Sequence, residues 1–380
     1  MQGVARHHLD AAFIRAHLRC SASKRDHDEH QSFIISPNVE EWEGWNSGPS
    51  RFIRLYLWKQ GASMAEHMHA KEYFLASTQA GDRTFAHCDG LVFAPTDPIL
   101  FVFNPATREV VELPYADQIN VRRHYRNACY SAGLGRDPGG GGGGRYKVVQ
   151  AFFRTEQPYV TKTVPVMGIL VFTIGEGCTG VWREIEDDLP YNVMRYQTAV
   201  HVNGFLFWRI GGRYVEPPPQ GILCLSLRDE KLSLTGLPGS LGPAAFEYES
   251  DDGFAFDALN GRELCLAART TTETLTIWTM AIEDDYCGGS NSQPSSWEKR
   301  YCIHASDLFH PVAVLPGGSG IILREHRYGM ALYRYELATS ELSTFRNMIR
   351  INYQGRPRKW KDLRFCNVMP YTESLVRLAA

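Results

Sequence analysis

A chain of 380 residues, 44% hydrophobic and 22% charged, carries enough apolar side chains for one large domain or two ordinary ones and is too apolar to be disordered overall. Its 40 Lys plus Arg residues against 42 Asp plus Glu give a net charge of -2, so no global field favours nucleic acid or another polyanion as partner. Gly (34), Pro (20) and 12% aromatic residues favour many turns and packed sheets over a helical bundle. The nine cysteines are scattered with no CxxC pair, which reads as reduced thiols in the cytoplasm and/or nucleus. No apolar run approaches about 18 residues, and the N-terminus has no apolar leader segment, so neither a membrane span nor a membrane partner is expected.

In chain order, Leu9, Phe13, Ile14 and Leu18 fall at helical spacing within 9–20, and alanines at 11, 12 and 16 support a helix there. A charge-dense stretch at 21–30 follows, and then the strand-like QSFIISP, which Pro37 ends. Residues 38–50 read as a connection. From residue 51 the pattern becomes short strands bounded by Gly, Pro, Asp or Asn: RFIRLYLW (51–58), EYFLAST, GLVFAP, YKVVQAFF, GILVFTI, GFLFW, GILCLSL, ELCLAA, TLTIWTM, KRYCI, PVAVL, GIILRE and MALYRYEL. With no helix of ten residues among them, a βαβ core is excluded and an all-β, antiparallel solution is required. Gly90, Gly204, Gly261 and Gly318 each precede an apolar strand at intervals of 114, 57 and 57 residues. Six modules of about 57 residues need roughly 342, which matches the chain after residue 40. A six-bladed β-propeller is the best count and seven the next, with a pair of β-sandwiches as the other all-β solution. Closure is expected to pair a late strand at 371–378 with an early one between 51 and 76.

Residues of chemical interest are few. His67 and His69 form an HxH pair with no third or fourth ligand at a familiar spacing, so no metal is expected. The run Gly139–Gly144 precedes a β-forming stretch and lacks a following GK[ST], which makes it a hairpin tip and not a nucleotide loop. The carboxylates of EIEDD (184–188) and IEDDY (282–286) sit where strands end, as solvated turn residues do. There is no nucleophile elbow. Neither catalytic residues nor a cofactor are therefore expected. Trp182, Trp208, Trp278 and Trp297 lie in or beside strands and read as packing between modules. The basic segment GRPRKWKDLR (355–364) is a solvated loop or a contact for an acidic partner.

Several segments together resemble the F-box-associated β-propeller domain of plant F-box proteins: CDGLVFA (88–94), VFNPATREVVELP (102–114), GLGRDPGGGGGGRYKVVQAFF (133–153), VFTIGEGCTGVWREI (171–185), VHVNGFLFW (200–208), LNGRELCLAA with LTIWTM (259–280) and LYRYELATSELSTF (332–345). The departure is at Arg136 and the glycine run, where that family has an aromatic residue and a short turn. The N-terminal DAAFIRAHLRCSASKR with SFIISP resembles the end of an F-box and its exit, with the start and central helices of that box missing. The resemblance implies a remnant of the F-box over 1–37, a connection and first strand over 38–65, and a kelch-like propeller over 66–380. It further implies a non-catalytic substrate-recognition subunit of an SCF-type cullin-RING ubiquitin ligase. Its partners would be an unknown target protein and a Skp1-type adaptor contacted by Phe13, Ile14 and Leu18, weakly or not at all if the F-box is incomplete. The alternatives are a propeller interaction protein uncoupled from the ligase and an enzyme that uses a propeller face.

Overall fold

The structure, a computed structural model, describes residues 11–27, 31–39, 50–74, 84–96, 99–114, 131–139, 145–154, 166–175, 180–194, 197–211, 221–241, 253–283, 296–326, 329–356 and 363–378. Continuous apolar runs such as GILCLS have both faces buried, and the architecture explains why. The strands form six antiparallel sheets stacked face to face around an axis, a six-bladed β-propeller preceded by one short helix. From the innermost strand outward, blade I holds Ala86–Cys88, Leu91–Pro95, Leu100–Asn104 and Glu109–Leu113. Blade II holds Ser131–Asp137, Arg145–Phe153, Met167–Ile174 and Arg183–Glu184. Blade III holds Val200–Val202, Phe205–Arg209, Gly221–Ser226 and Leu232–Gly236. Blade IV holds Phe254–Leu259, Glu263–Thr271, Thr274–Ala281 and Glu298–His304, and blade V holds Phe309–Val314, Gly320–Glu325, Ala331–Glu336 and Glu341–Asn347.

Blade VI is composite. Its innermost strand, Leu363–Pro370, pairs antiparallel with Ser32–Val39, which leads to Ser50–Lys59 and the outermost Met64–Phe74. The two residues Asn352–Tyr353 add a parallel bridge outside it. This pairing of the two ends of the chain closes the ring, so closure uses 363–370 with 32–39 and not 371–378 with 51–76. Residues 371–378 form no strand; they run on into blade I, where Val376 and Leu378 are buried. The propeller scaffold thus begins at Ser32, N-terminal to the expected boundary at 66.

Six apolar clusters fill the six seams. In blade IV, Leu264, Leu266 and Ala268 face blade III, while Cys265 and Ala267 between them face blade V. Alternation on a strand therefore selects the neighbouring blade, not core against solvent. Trp182, Trp208 and Trp278 are buried at the seams I–II, II–III and III–IV, and Trp297 packs on the last of these.

The periodic glycines sit at the turns from innermost to second strand. Asp89-Gly90, Asn203-Gly204 and Asn260-Gly261 have positive φ at both residues, as a type I′ hairpin requires. At Gly90 a side chain is excluded twice, since its φ is +79° and a Cβ would lie 2.2 Å from the Thr372 carbonyl oxygen. The glycine run falls in the sequence between the innermost and second strands of blade II, and only Gly139 of it lies within the described residues. The helix spans Ala11–His27, longer than 9–20 predicts, and takes in the charge-dense stretch as far as His27, with 28–30 outside the described residues.

Candidate functional site

The inner strands bring polar groups together at both ends of the axis. Where those strands end, Cys88 of blade I meets His201 of blade III, with Sγ and Nδ1 3.3 Å apart. Their approach needs Gly135 on the intervening strand of blade II, because a Cβ there would lie 2.5 Å from the imidazole. His201 Nε2 accepts from the backbone N–H of Arg136 (3.3 Å) and of Gly204 (3.1 Å). Nδ1 therefore carries the ring proton and points it at the thiol, the reverse of what a catalytic cysteine needs from its base. Burial holds His201 down to about 4, so the ring is neutral. Burial, reinforced by Asp89, holds the Cys88 thiol well above its ordinary range. Asp89 in turn accepts from Tyr146 Oη (3.1 Å) and pairs with Arg136 (3.4 Å). The cluster ties blades I, II and III together. Alkylation by iodoacetamide at pH 8 should mark the exposed Cys20 and Cys302 quickly, and Cys88 only on unfolding. Peptide mapping that found Cys88 modified as fast as Cys20 would make it a reactive thiol.

Beside this cluster, the buried Lys147 of blade II reaches the hairpin turn of blade III. Its Nζ lies 2.9 Å from Asp137 Oδ2 and 2.9 Å from Glu230 Oε1 and donates to the Leu227 carbonyl. Arg183 also pairs with Glu230. Burial opposes ionisation of Glu230, but the bonds from Arg183 and Lys147 outweigh it and hold the carboxyl below its usual value.

Where the innermost strands begin, the buried guanidiniums of Arg209 and Arg324 donate to the carbonyls of Phe254 (3.1 Å) and Cys366 (3.5 Å) and lie over the rings of Phe254 and Phe365. His310 stacks on His326 at 4.7 Å. Burial, then Arg324, His326 and Arg209, hold His310 well below its ordinary value. Burial pushes Asp257 up to about 6, against the Ala258 amide and Arg324.

The helix residues are not equivalent. Leu18 is 9% exposed inside the seam of blades I and II and Ile14 packs against that seam, whereas Phe13 is 52% exposed. The helix also touches the turn Pro316–Gly318 of blade V. His67 and His69 each meet an aromatic ring edge, Tyr56 at 5.5 Å and Phe103 at 5.0 Å, and no group of three or more metal-ligating side chains occurs among the described residues. Arg154 pairs with Glu184 and, at 2.6 Å, with Asp188 of the first acidic stretch; most of the second lies outside the described residues. Of the basic segment 355–364, Gly355 and Arg356 border a cleft on the outer rim of blade VI, Leu363 is buried, and 357–362 lie outside the described residues. That cleft is about 690 Å³ in volume and is lined by Arg54, Tyr56, Glu66, His67, Arg108, Gln354, Gly355 and Arg356. Sequence reasoning singled out His67 and the basic segment separately but missed Arg54, Glu66 and Arg108. The Cys88–His201 pair, 113 residues apart, has no spacing signal at all.

Six radial sheets, a ring closed by its two termini and inner polar groups tied up in the scaffold define a β-propeller whose exposed rim and ends remain for binding. Residues 53–281 match the family described as the F-box associated beta propeller domain. The match covers more than half of the chain, which therefore belongs to that family. No curated protein sequence matches it. Among solved structures, it is similar to the fucose-specific lectin of Aleuria aurantia (9% identity, TM-score 0.39, covering 84% of this chain and 100% of the lectin). Others are the periplasmic gluconolactonase of Pseudomonas aeruginosa (10%, 0.35, 82% and 82%) and the Cps50 (Swd1) β-propeller domain of Myceliophteria thermophila (8%, 0.33, 81% and 88%). Likeness at this level carries no argument about function.

Proposed function

We propose that this chain is a non-catalytic substrate-recognition subunit of an SCF-type cullin-RING ubiquitin ligase, acting in the cytoplasm or nucleus. Membership of the F-box associated propeller family is the observation that carries the reading. The mechanism is bridging: the propeller holds a target protein while an E2 supplied by other subunits modifies its lysines. A rigid closed ring suits that task, because its seams fix the geometry between whatever binds the rim and whatever binds the helix end.

The packing of Ile14 and Leu18 favours a second reading, a propeller that binds its target without the ligase. With those two side chains against blades I and II, Phe13 is the exposed large apolar residue of the described helix. A stable interface ordinarily buries about 1,200–2,000 Å² around an apolar centre, and one phenylalanine does not supply it. Titration against a purified Skp1-type adaptor separates the readings. A chain carrying a complete F-box ahead of Ala11 should bind about 100-fold more tightly than the 380-residue chain, or ~2.8 kcal/mol at about 1.4 kcal/mol per decade. Phe13→Asp should weaken any binding by the 380-residue chain without lowering its melting temperature. Adaptor binding by neither form would sink the ligase reading and leave the uncoupled propeller.

A further inference from the structure

The helix Ala11–His27 lies on the propeller by one face. Residues 14, 17, 18, 21 and 22 are buried or half-buried, whereas Phe13, Ala16, Cys20 and Lys24 are exposed. That stripe runs at i, i+3, i+4, i+7 and i+8, the spacing by which a helix packs on a core. Leu18 enters the seam of blades I and II, Ile14 packs against it, and the same helix touches the turn Pro316–Gly318 of blade V. Blade VI lies between blades V and I, so the helix bridges blades that are not neighbours. The chain that follows is held separately. Gln31 donates from Nε2 to the Val314 carbonyl of blade V (2.8 Å), and its own carbonyl accepts from the Gln60 N–H of blade VI (2.9 Å). Ser32–Val39 is paired on both sides from there on, so the helix can leave the surface without opening the ring.

Docking hides two of the three side chains that the resemblance assigns to a Skp1-type adaptor. Leu18 is buried and Ile14 half-buried, and of the three Phe13 alone faces solvent. A side chain inside the seam of blades I and II cannot lie against a second protein at the same time. The docked face is also imperfect. His17, one turn on from Ile14 and next to Leu18, buries its Nδ1 without a hydrogen-bond partner. A polar atom desolvated with no bond in return opposes the burial. Docking is thus favoured by two apolar side chains and opposed by one imidazole nitrogen, which makes a contact that another apolar surface can replace. A helix of 17 residues is marginal by itself in water, so one surface or the other must order it.

We propose that the propeller and a Skp1-type adaptor compete for one face of this helix, so that its docking is an autoinhibitory contact which the adaptor must displace. The proposal rests on the ligase reading for the adaptor, and on the packing of Ile14, His17 and Leu18 for the competition. An adaptor that binds the released helix alone has its dissociation constant raised by the inverse of the released fraction. Whatever tightens docking therefore weakens adaptor binding by the same factor. His17→Leu removes the unsatisfied nitrogen and extends the apolar face. In calorimetric titration with the purified adaptor, the variant should bind about tenfold more weakly than the parent 380-residue chain. Without adaptor, amide exchange over residues 13–20 should slow by that same factor, and the melting temperature should not fall.

A distance measurement leaves the docked face itself unaltered. Spin labels on the exposed Cys20 of the helix and Cys302 of blade IV, in a chain carrying Cys129→Ser, Cys178→Ser and Cys287→Ser, report where the helix lies. Double electron–electron resonance should give one narrow distance without adaptor, and saturating adaptor should replace it with a different or broader distribution. A narrow distance that persists under saturating adaptor overturns the proposal, as does a broad one before adaptor is added. Adaptor affinity unaltered by His17→Leu also overturns it. Weaker adaptor binding with amide exchange unchanged would make His17 a direct adaptor contact and remove the competition. Adaptor binding by neither this chain nor the one with a complete F-box sinks the ligase reading and the competition with it, whereas each of the other adverse results sinks the competition alone.

Discussion

Removal of residues 371–380 is expected to leave the chain without a stable fold at 37 °C. The segment forms no strand, yet the interior depends on it. Asn104, fully buried in blade I, donates from Nδ2 to the carbonyls of Ser374 (3.0 Å) and Val376 (2.7 Å), while its Oδ1 accepts from Ala106 and Thr107 and shapes the hairpin turn. Deletion takes both acceptors away and leaves two buried donors unsatisfied, each at a cost of about 1–3 kcal/mol. Val376 and Leu378 leave the seam of blades I and II, for about 1.5–3 kcal/mol each. The Glu109 carboxylate also loses the Leu378 amide. Together these losses reach about 5–12 kcal/mol, the size of a whole domain's stability at ~5–15 kcal/mol. Circular dichroism should show no cooperative melt, and trypsin should digest the shortened chain without a stable fragment. A truncated chain that melts within a few degrees of the parent would show that the tail only lies on blade I.

Lys147→Met should be the most damaging single substitution at the polar seam of blades II and III. It keeps the length of the side chain but leaves Asp137 and Glu230 facing one another in the interior without the cation between them. Breaking a buried pair by removing one partner costs about 3–5 kcal/mol. Adding Asp137→Asn and Glu230→Gln should recover part of that, because neutral groups carry a smaller desolvation penalty. The pH dependence follows from Glu230. Its folded value lies below the unfolded one, so the stabilisation is present above about pH 4.5 and is lost as pH falls through the folded value. The gap in urea-unfolding free energy between parent and Lys147→Met should therefore narrow below about pH 4.5. A gap that stays constant down to pH 3 would assign the loss to packing alone.

Most second and third strands were legible because they are buried on both faces and read as unbroken apolar runs between turn residues. The glycine interval was legible because a turn with positive φ recurs between the innermost and second strands of blades I, III, IV and V. Of the innermost strands, Phe309–Val314 was read as PVAVL, and most of the others were not. Ala86–Cys88 and Val200–Val202 have three residues each, too short for any periodicity to register. Ser131–Asp137 reads as a turn because Gly133 and Gly135 stand in it, placed there by the close approach of Ala199 and His201 from blade III. Leu363–Pro370 follows the basic segment and contains Asn367 and Pro370, so its role in closing the ring is visible only once its partner at 32–39 is known.

The rim cleft was hidden for a related reason. Arg54, Glu66, Arg108 and Arg356 lie on elements that only ring closure and the VI–I seam bring together, and no local spacing encodes that. Helix periodicity did mark Phe13, Ile14 and Leu18. What it could not show was that Ile14 and Leu18 pack against the propeller while Phe13 faces solvent.

The central claim, that the propeller holds proteins for ubiquitin transfer performed by other subunits, is tested most directly by diglycine-remnant mass spectrometry of the proteins that copurify with the chain, with and without depletion of the Skp1-type adaptor. The account predicts lysine remnants on the bound proteins that disappear with the adaptor, and no ubiquitin thioester on any cysteine of the chain. Remnants unchanged by adaptor depletion, or a ubiquitin thioester on the chain itself, would contradict it.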